Sequence, residues 1–361
     1  MSDSLFREGG PHHIRHTGPH EYRMSIALPQ DERGMVGREC TDASCSPAYF
    51  KIKPGTGITG EQITAFCPYC RTAAAPGAFL TQAQQDYARR VLENEAVEGV
   101  QRMLRDALGL GASGRKKIGG GLFSIELSTD PVRPRYISRP VEEELRRDLR
   151  CPTCGLEHAV FGLASWCPDC GADLFLHHVH EELEVTRKIL DAVEARCEAL
   201  GARVAARDVE NAIEDAVSLF ETVLKLITRR VLSSRDMATP DIDEVFRRQI
   251  RNTYQSIDSA AATFRAQVGE DLLADLSDEQ REQLESVFEK RHPITHNLGI
   301  VDRGYLRRAR SGELEGREIR VTAIEVREAV DLAERVLQGA YRRACDGSGR
   351  HTSRRDGATG P

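Results

Sequence analysis

The chain has 361 residues, which is long enough for two or three domains and excludes a single small module. Its 50 Lys and Arg residues against 56 Asp and Glu residues give a formal net charge of -6, which argues against a generally basic nucleic-acid coat. Any contact with RNA must therefore be local. The sequence has no apolar run of the roughly 18 to 20 residues that a membrane span needs, and residues 1–10 lack an apolar signal-peptide core. We expect a cytoplasmic protein with no membrane partner.

The first 39 residues are rich in Gly, Pro, His and charged side chains, and they contain no apolar period long enough to build a core. We predict a disordered, mobile arm over residues 1–39. Four histidines in this arm are candidate metal ligands, but their irregular spacing favours an incidental tract: His12, His13, His16 and His20.

Eight of the ten cysteines fall in four close pairs. In a cytosolic chain such pairs indicate zinc ligands better than disulfides, because that compartment keeps thiols reduced. Redox-active pairs are the main alternative, but a redox site needs a single pair, so duplication of whole sets favours metal. The predicted ligands are Cys40, Cys45, Cys67 and Cys70 in a first module over residues 40–75, and Cys151, Cys154, Cys167 and Cys170 in a second, which closes the linker-and-strand region 111–176.

The second cysteine set is the more regular. Its two Cys-Pro-x-Cys-Gly turns, at residues 151–155 and 167–171, leave twelve residues between the pairs and favour backbone amides that point at the sulfurs. The first set is looser, with four residues between Cys40 and Cys45. Both modules resemble zinc ribbons, small β-rich units that bind nucleic acid or another protein. A closed four-cysteine site implies structural zinc, so we expect two structural zinc ions and no catalytic metal.

The region between the two modules predicts one helix and one strand. Over residues 79–110 apolar side chains recur at spacings of three, four or their sums until Gly109, which predicts a connecting helix. Residues 111–121 have a basic centre between glycines and predict a flexible linker or an exposed hairpin. Residues 122–127 alternate loosely, as a strand does.

Residues 177–345 predict an all-helical domain, so the fold class is mainly α, with an antiparallel helical bundle after two β-rich modules. Thr322 followed by Glu325 is a capping signature for the last helix. The predicted helices span residues 179–200, 203–232, 241–267, 277–297 and 322–344.

The two remaining cysteines and the arginine pairs have simpler interpretations. Cys197 lies in a helical pattern and is expected to be a small buried residue, while Cys345 lies where the last helix ends. Paired arginines such as Arg307-Arg308 are interpreted as solvated helix faces. Residues 346–361 are rich in Gly, Ser and Arg and predict a disordered tail.

One helical segment, Arg291-His-Pro-Ile-Thr-His296-Asn297, combines the groups that metal-free RNA cleavage needs. An arginine offers a planar, permanently charged fork for a phosphate, and an imidazole titrates near neutrality. The longer run from Phe288 to Leu306 resembles the signature of the HEPN superfamily, in which a histidine follows an arginine by four to six positions.

This resemblance implies a helical bundle that pairs with a second copy and brings two Arg and His sets to a shared cleft. Members of the superfamily are commonly metal-independent endoribonucleases in toxin, antiphage or RNA-processing systems. Some relatives have lost cleavage and act as binding or scaffold domains. The implied partners are RNA and a second copy through the helical domain, with a protein partner possible at the ribbons.

The candidate residues have definite chemical roles. His296 would take the proton from a ribose 2′-hydroxyl, and a protonated imidazole would donate to the departing 5′-oxygen, leaving a 2′,3′-cyclic phosphate. Arg291 would stabilise the charge on the phosphate. His292 is a candidate second acid or phosphate contact, and Asn297 is a candidate for orienting substrate. DNA lacks the internal nucleophile and should survive.

Geometry constrains the pair. On an ideal helix Arg291 and His296 lie about 140° apart, whereas His292 and His296 share a face. Pro293 disfavours regular helix at this point, so we predict a bend that swings Arg291 toward His296, or a cleft where each arginine serves the other subunit's histidine.

Three other interpretations stay open. The histidines could be polar interface groups and Arg291 could pair with Glu289 or Glu285, which would leave a noncatalytic dimeric adaptor. A metal held by His292 and His296 is disfavoured because no carboxylate lies between them as in the helical zinc-hydrolase motif. A zinc-ribbon transcription regulator would need a basic recognition helix, and the sequence shows no persuasive one.

Overall fold

The structure is a computed structural model that describes residues 5–6, 8–9, 12–18, 21–58, 62–108, 110, 115–118, 125–128, 146–309 and 312–352. His20, Gly109 and the tail after Thr352 lie outside these residues, as does the side chain of Cys345. The chain divides into two compact units, Met1–Leu174 and Phe175–Pro361, here called the cysteine unit and the helical unit. Among the helices of the described residues, none has both the length and the apolar character to cross a membrane.

The cysteine unit contains short strands and one long helix, α1 (Gln82–Ala107). This helix lies within the residues that predict a connecting helix, and it begins at a capping box formed by Thr81 and Gln84. The strands are β1 (Arg15–Gly18), β2 (Glu21–Arg23), β3 (Val36–Glu39), β4 (Tyr49–Ile52), β5 (Ala65–Phe66), β6 (Ala73–Ala74), β7 (Arg115–Ile118), β8 (Ile125–Ser128), β9 (Arg147–Arg150) and β10 (Glu157–Val160).

Both cysteine modules contribute to a single antiparallel sheet with the strand order β3-β4-β10-β9. Each module supplies one hairpin, and the hairpins join where Phe50 of β4 lies opposite Val160 of β10. Both side chains are buried, and together with Phe79 they belong to the core of this sheet. The two modules therefore share one fold, although each has its own cysteine set.

The segment that the sequence predicts as a mobile arm includes three strands. Strands β1 and β2 pair with each other, and β3 forms an edge of the four-stranded sheet. Met35 and Val36 are buried there. The disorder prediction over residues 1–39 is therefore wrong for these strands, because pairing with β4 satisfies the backbone of β3 and gives two apolar side chains a core that the local sequence does not provide.

The helical unit is built around its longest helix, α4, which packs against α2, α3, α7 and α9. The apolar face of α4 is buried along its length, and Phe220 on this face meets Phe288 of α7 edge to face, with ring centroids 5.2 Å apart. The helices are α2 (Phe175–Asp191), α3 (Val193–Leu200), α4 (Ala202–Ser234), α5 (Thr239–Val245), α6 (Ile257–Val268), α7 (Asp278–His296), α8 (Arg303–Arg308) and α9 (Ala323–Thr352).

The ends of the last helix test two predictions. Thr322 and Glu325 form the predicted capping box: the Thr322 amide donates to the carboxylate at 2.8 Å, and the Glu325 amide donates to the Thr322 hydroxyl at 3.2 Å. The helix continues to Thr352, beyond the predicted end near residue 344 and into the segment predicted to be disordered.

Cys197 does not occupy the buried position that its helical pattern suggests. The predicted helix over residues 179–200 is divided at Ala192 into α2 and α3, and none of the side chains of α3 is buried. Cys197 is exposed on this short helix. The apolar face of α2 ends before the division, so Cys197 has no core to join.

Candidate functional site

The first cysteine set converges on one point. Its four sulfur atoms lie within 4.8 Å of one another. Cys40 Sγ is 3.5 Å from Cys70 Sγ, and Cys45 Sγ is 3.7 Å from Cys67 Sγ. A tetrahedral zinc site with Zn–S bonds of about 2.3 Å has sulfurs roughly 3.8 Å apart. The spacing therefore fits a zinc ion closely.

The second set has the same geometry. Cys151 Sγ is 3.8 Å from Cys170 Sγ, and Cys154 Sγ is 3.6 Å from Cys167 Sγ. All eight predicted ligands are free thiols rather than disulfides. The predicted grouping is confirmed: each set of four can bind one zinc ion.

The turns around the sulfurs are shaped for thiolates. The backbone amides of Tyr69 and Asp169 donate to Cys67 Sγ and Cys167 Sγ, each at 3.4 Å, as the Cys-Pro-x-Cys pattern predicts. Burial raises the pKa of Cys67 to about 12 and that of Cys154 to about 11. A divalent cation would supply the positive charge that four clustered sulfurs need in order to ionise.

Backbone hydrogen bonds connect the two cysteine sets directly. The carbonyl of Pro68, between Cys67 and Cys70, accepts from the amides of Ser165 and Trp166 at 2.7 and 3.1 Å. In return, the carbonyl of Pro168, in the second set, accepts from the amide of Phe66 at 2.8 Å. Each Cys-Pro-x-Cys turn thus accepts backbone hydrogen bonds from residues next to the other cysteine set.

Helix α7 carries the candidate catalytic segment of the helical unit. It continues through Pro293 to His296, so the proline does not interrupt the helix. Pro293 lies in the last turn, where it removes one helix hydrogen bond, and both Pro293 and Ile294 are buried, which holds the segment in place. The carbonyl of Pro293 then accepts from the amides of Asn297 and Gly299 at 3.0 and 2.9 Å, which ends the helix.

The uninterrupted helix separates two of the predicted catalytic residues. Arg291 and His296 lie about 140° apart around its axis. Arg291 Nη1 donates to Gln255 Oε1 at 3.0 Å, and its Nε is buried without a hydrogen-bond partner among the described residues. His296 is exposed on another face. A single chain therefore does not bring Arg291 and His296 together.

The two histidines do meet. His292 and His296 are both exposed, and their ring centroids are 5.0 Å apart in an edge-to-face arrangement. The pKa of His292 is lowered by burial first, and then by the positive charge of Arg308 and by His296. An imidazole with a lowered pKa is largely neutral at pH 7 and can accept a proton.

Asn297 has a structural contact. Its side-chain nitrogen donates to the carbonyl of Ile300 at 2.7 Å, which fixes the loop after α7. Leu298 follows with a positive φ of 52°, and 90% of its side chain is exposed. The loop therefore presents an apolar side chain to solvent beside the histidines.

Three charged residues near the histidines were not among the predicted site residues. Arg308 of α8 donates from Nε to Glu289 Oε2 at 2.8 Å, and Glu289 is buried on α7. Asp302, which accepts from the Tyr305 amide at 2.7 Å, lies close enough to His292 for each to shift the pKa of the other. The sequence offers one signal for this cluster: Glu289, His292 and His296 are spaced to share a helix face.

No protein-family model, curated protein or solved structure matches the chain.

Proposed function

We propose that this protein is a homodimeric, metal-independent endoribonuclease whose active site includes His292, His296 and Arg291. The observation that carries the proposal is the pair of exposed imidazoles, with ring centroids 5.0 Å apart, at the end of α7. Two adjacent imidazoles, one neutral and one protonated, are what a metal-free 2′-hydroxyl attack needs. The resemblance of the surrounding segment to the HEPN signature points to the same reaction.

The reaction needs no group beyond these side chains and the RNA. A neutral imidazole removes the proton of the 2′-hydroxyl, the oxygen attacks the adjacent phosphorus, and the bond to the 5′-oxygen breaks. The second, protonated imidazole donates a proton to that leaving oxygen. The products are a 2′,3′-cyclic phosphate and a 5′-hydroxyl end. The lowered pKa of His292 suits it to the role of base, so we assign His296 the role of acid, the reverse of the roles expected from the sequence.

Dimerisation gives Arg291 a role that one chain does not provide. Since Arg291 lies across α7 from His296 in its own chain, the Arg291 that reaches these histidines would be that of a second copy. Leu298, which is 90% exposed beside the site, is an apolar group that a second copy would cover. Arg291 of one protomer would then bind the phosphate held by the histidines of the other.

The two cysteine sets are proposed to hold structural zinc. Four thiolates close the coordination sphere and leave no position for water or substrate, so the metal would support the fold of the cysteine unit and not the cleavage step. The surface of that unit would then select or position RNA, or bind a protein partner.

The test is an RNA cleavage assay with the zinc-loaded full chain and a labelled single-stranded RNA, in buffer without Mg²⁺ or Mn²⁺. Tryptophan fluorescence and circular dichroism first establish that the protein remains folded. The His292→Ala and His296→Ala variants are compared with His177→Ala, a histidine elsewhere in the helical unit. Cleavage by the parent and by His177→Ala, with cyclic-phosphate ends and loss in the two site variants, is the expected result.

The second candidate is a noncatalytic dimeric adaptor. Two observations favour it over an enzyme: Arg291 is already bonded to Gln255, and Asn297 is used to fix its own loop. If neither the parent nor any of the three variants cleaves RNA, while all of them still bind it, the adaptor is supported and the nuclease is excluded.

A further inference from the structure

One face of α7 carries three ionisable side chains. Glu289, His292 and His296 are spaced by three and four residues, so on a regular helix they lie within about 60° of one another. Arg291 is on a different face, about 140° from His296. The residue that completes this face must therefore come from another element.

That element is α8. Its Arg308 donates from Nε to Glu289 at 2.8 Å, which brings the guanidinium to the face of α7 that also carries both histidines. Glu289 has 8% of its side chain exposed, and Arg308 has 42%, so the carboxylate is fixed while the arginine reaches solvent. The contact uses Nε, and neither terminal nitrogen has a hydrogen bond to another described residue.

The charges around His292 agree with this placement. Burial and the positive charges of Arg308 and His296 lower its pKa, whereas Asp302 and Glu289 act in the opposite direction. These are the charged groups that face His292 from its own helix, from the start of α8 and from its end. Together with the contact between Arg308 and Glu289, these charge effects place the guanidinium and the imidazole on the same side of α7.

We propose that Arg308 binds the scissile phosphodiester of single-stranded RNA in the same site as His292 and His296 of its own protomer, with Glu289 as the residue that positions it. A guanidinium held at Nε presents its remaining donors as a fork, the geometry that suits two phosphate oxygens. This inference rests on the proposed nuclease function. It gives each protomer its own phosphate-binding arginine, to which Arg291 of a second copy adds another.

The test must separate phosphate binding from stability, because removing Arg308 alone leaves Glu289 buried without its partner. We therefore compare Glu289→Gln with the double variant Glu289→Gln/Arg308→Ala, in which no buried charge is orphaned. Arg307→Ala is the matched control, since Arg307 is exposed on the same helix and turned about 100° away. Thermal unfolding should be similar for the pair that differs only at residue 308.

Two measurements are made on the full-length proteins: cleavage of a single-stranded RNA, and binding of the same RNA with a 2′-deoxy nucleotide at the cleavage site. We expect the double variant to lose about 10²-fold to 10³-fold in cleavage relative to Glu289→Gln, the range for loss of one preorganised charge contact, and to bind the deoxy-substituted RNA more weakly. Arg307→Ala should match the parent. Arg308→Lys should recover part of the binding, because charge is kept and the fork is lost.

A third measurement does not depend on RNA. The His292 ring is titrated by NMR, and its pKa should rise in the double variant relative to Glu289→Gln, since a neighbouring positive charge has been removed.

The outcomes distinguish the two proposals. Parent protein that cleaves RNA, with a double variant equal to Glu289→Gln, overturns the role of Arg308 and leaves the nuclease in place. Parent protein that binds RNA without cleaving it, with binding lost in the double variant, overturns the nuclease and supports the phosphate contact. Parent protein that neither binds nor cleaves RNA overturns both.

Discussion

The cysteine unit and the helical unit place their chemically active residues in opposite relations to the fold. In the cysteine unit the strands have only two to four residues, and four of the eight clustered cysteines, Cys40, Cys67, Cys151 and Cys167, are themselves buried in the core. In the helical unit a long apolar face of α4 forms the core, and the histidines lie outside it, at the end of α7. A change at the cysteines should therefore destabilise the cysteine unit, whereas a change at the histidines should leave the helical unit folded.

Removal of metal from the cysteine unit should have the largest effect. Metal-binding free energies of structural zinc sites are about 10 to 16 kcal/mol, which exceeds what a small core supplies. The Cys151→Ser variant, or strong chelation of the parent, should unfold the cysteine unit while the helical unit keeps its cooperative thermal transition. Trp166, the single tryptophan, adjoins Cys167 and reports on this unit alone by fluorescence.

The same variant tests whether the two metal sites act together. Because the Pro68 and Pro168 carbonyls each accept from the other module, loss of one site should weaken the other. Cobalt-substituted Cys151→Ser should therefore lose most of the tetrathiolate absorbance of both sites, and Cys197→Ser, at an exposed thiol outside them, should lose none. Retention of half the absorbance with native fluorescence would show that the modules are independent.

The opposite behaviour is expected at the helical site. His296→Ala should lower RNA cleavage by about 10²-fold to 10⁴-fold, the usual contribution of a general acid or base. The midpoint of thermal unfolding should change little, since His296 is exposed. A large fall in that midpoint would mean that His296 supports the fold, and the contrast between the two units would fail.

Features that depend on local spacing could be predicted from the sequence, and features that depend on contacts between distant segments could not. Cysteine spacing is local information, and it identifies all eight clustered thiols. The pairing of β4 with β10 joins segments about a hundred residues apart, and four-residue strands carry too little alternation to fix such a register. The shared sheet, and the strand in residues 36–39, were therefore not predictable.

In the helical unit the local rules identify the helices and the Thr322 cap but give no sign of the contact between Arg308 and Glu289. Proline predicts a break, yet burial of Pro293 and Ile294 keeps the last turn helical. Arg308 belongs to an arginine pair that is interpreted as a solvated face, and only its tertiary contact with Glu289 places it beside the histidines. Spacing along the chain does not predict contacts between residues of different helices.

A buried ion pair offers a smaller test of the helical core. Burial alone would raise the pKa of Glu334, but the hydrogen bonds from Arg187 and His180 lower it below its usual value. A lowered folded-state pKa contributes stability above the unfolded value and loses it as pH falls, here below about pH 4.5. Urea unfolding followed by circular dichroism should show this loss in the parent and a flatter profile in Glu334→Gln.

Removing the positive partner tests the same pair at neutral pH. Arg187→Met should cost up to about 3 to 5 kcal/mol, because it removes the guanidinium from a buried carboxylate and leaves His180 and Gln338 as the remaining partners of Glu334. The double variant Arg187→Met/Glu334→Leu should recover much of this stability. A single variant as stable as the parent would show that water replaces the arginine.

The smallest expected effect concerns the cap of α9. Thr322→Ala removes the hydroxyl that accepts from the Glu325 amide, and loss of such a cap costs about 1 kcal/mol. In a domain of this size the midpoint of the helical transition should fall by about 2 to 4 °C, while Thr322→Ser should stay near the parent. The fluorescence of Trp166 and the metal content should not change in either variant. If they follow the helical transition, the two units unfold as one, and the independence on which the other predictions rely is lost.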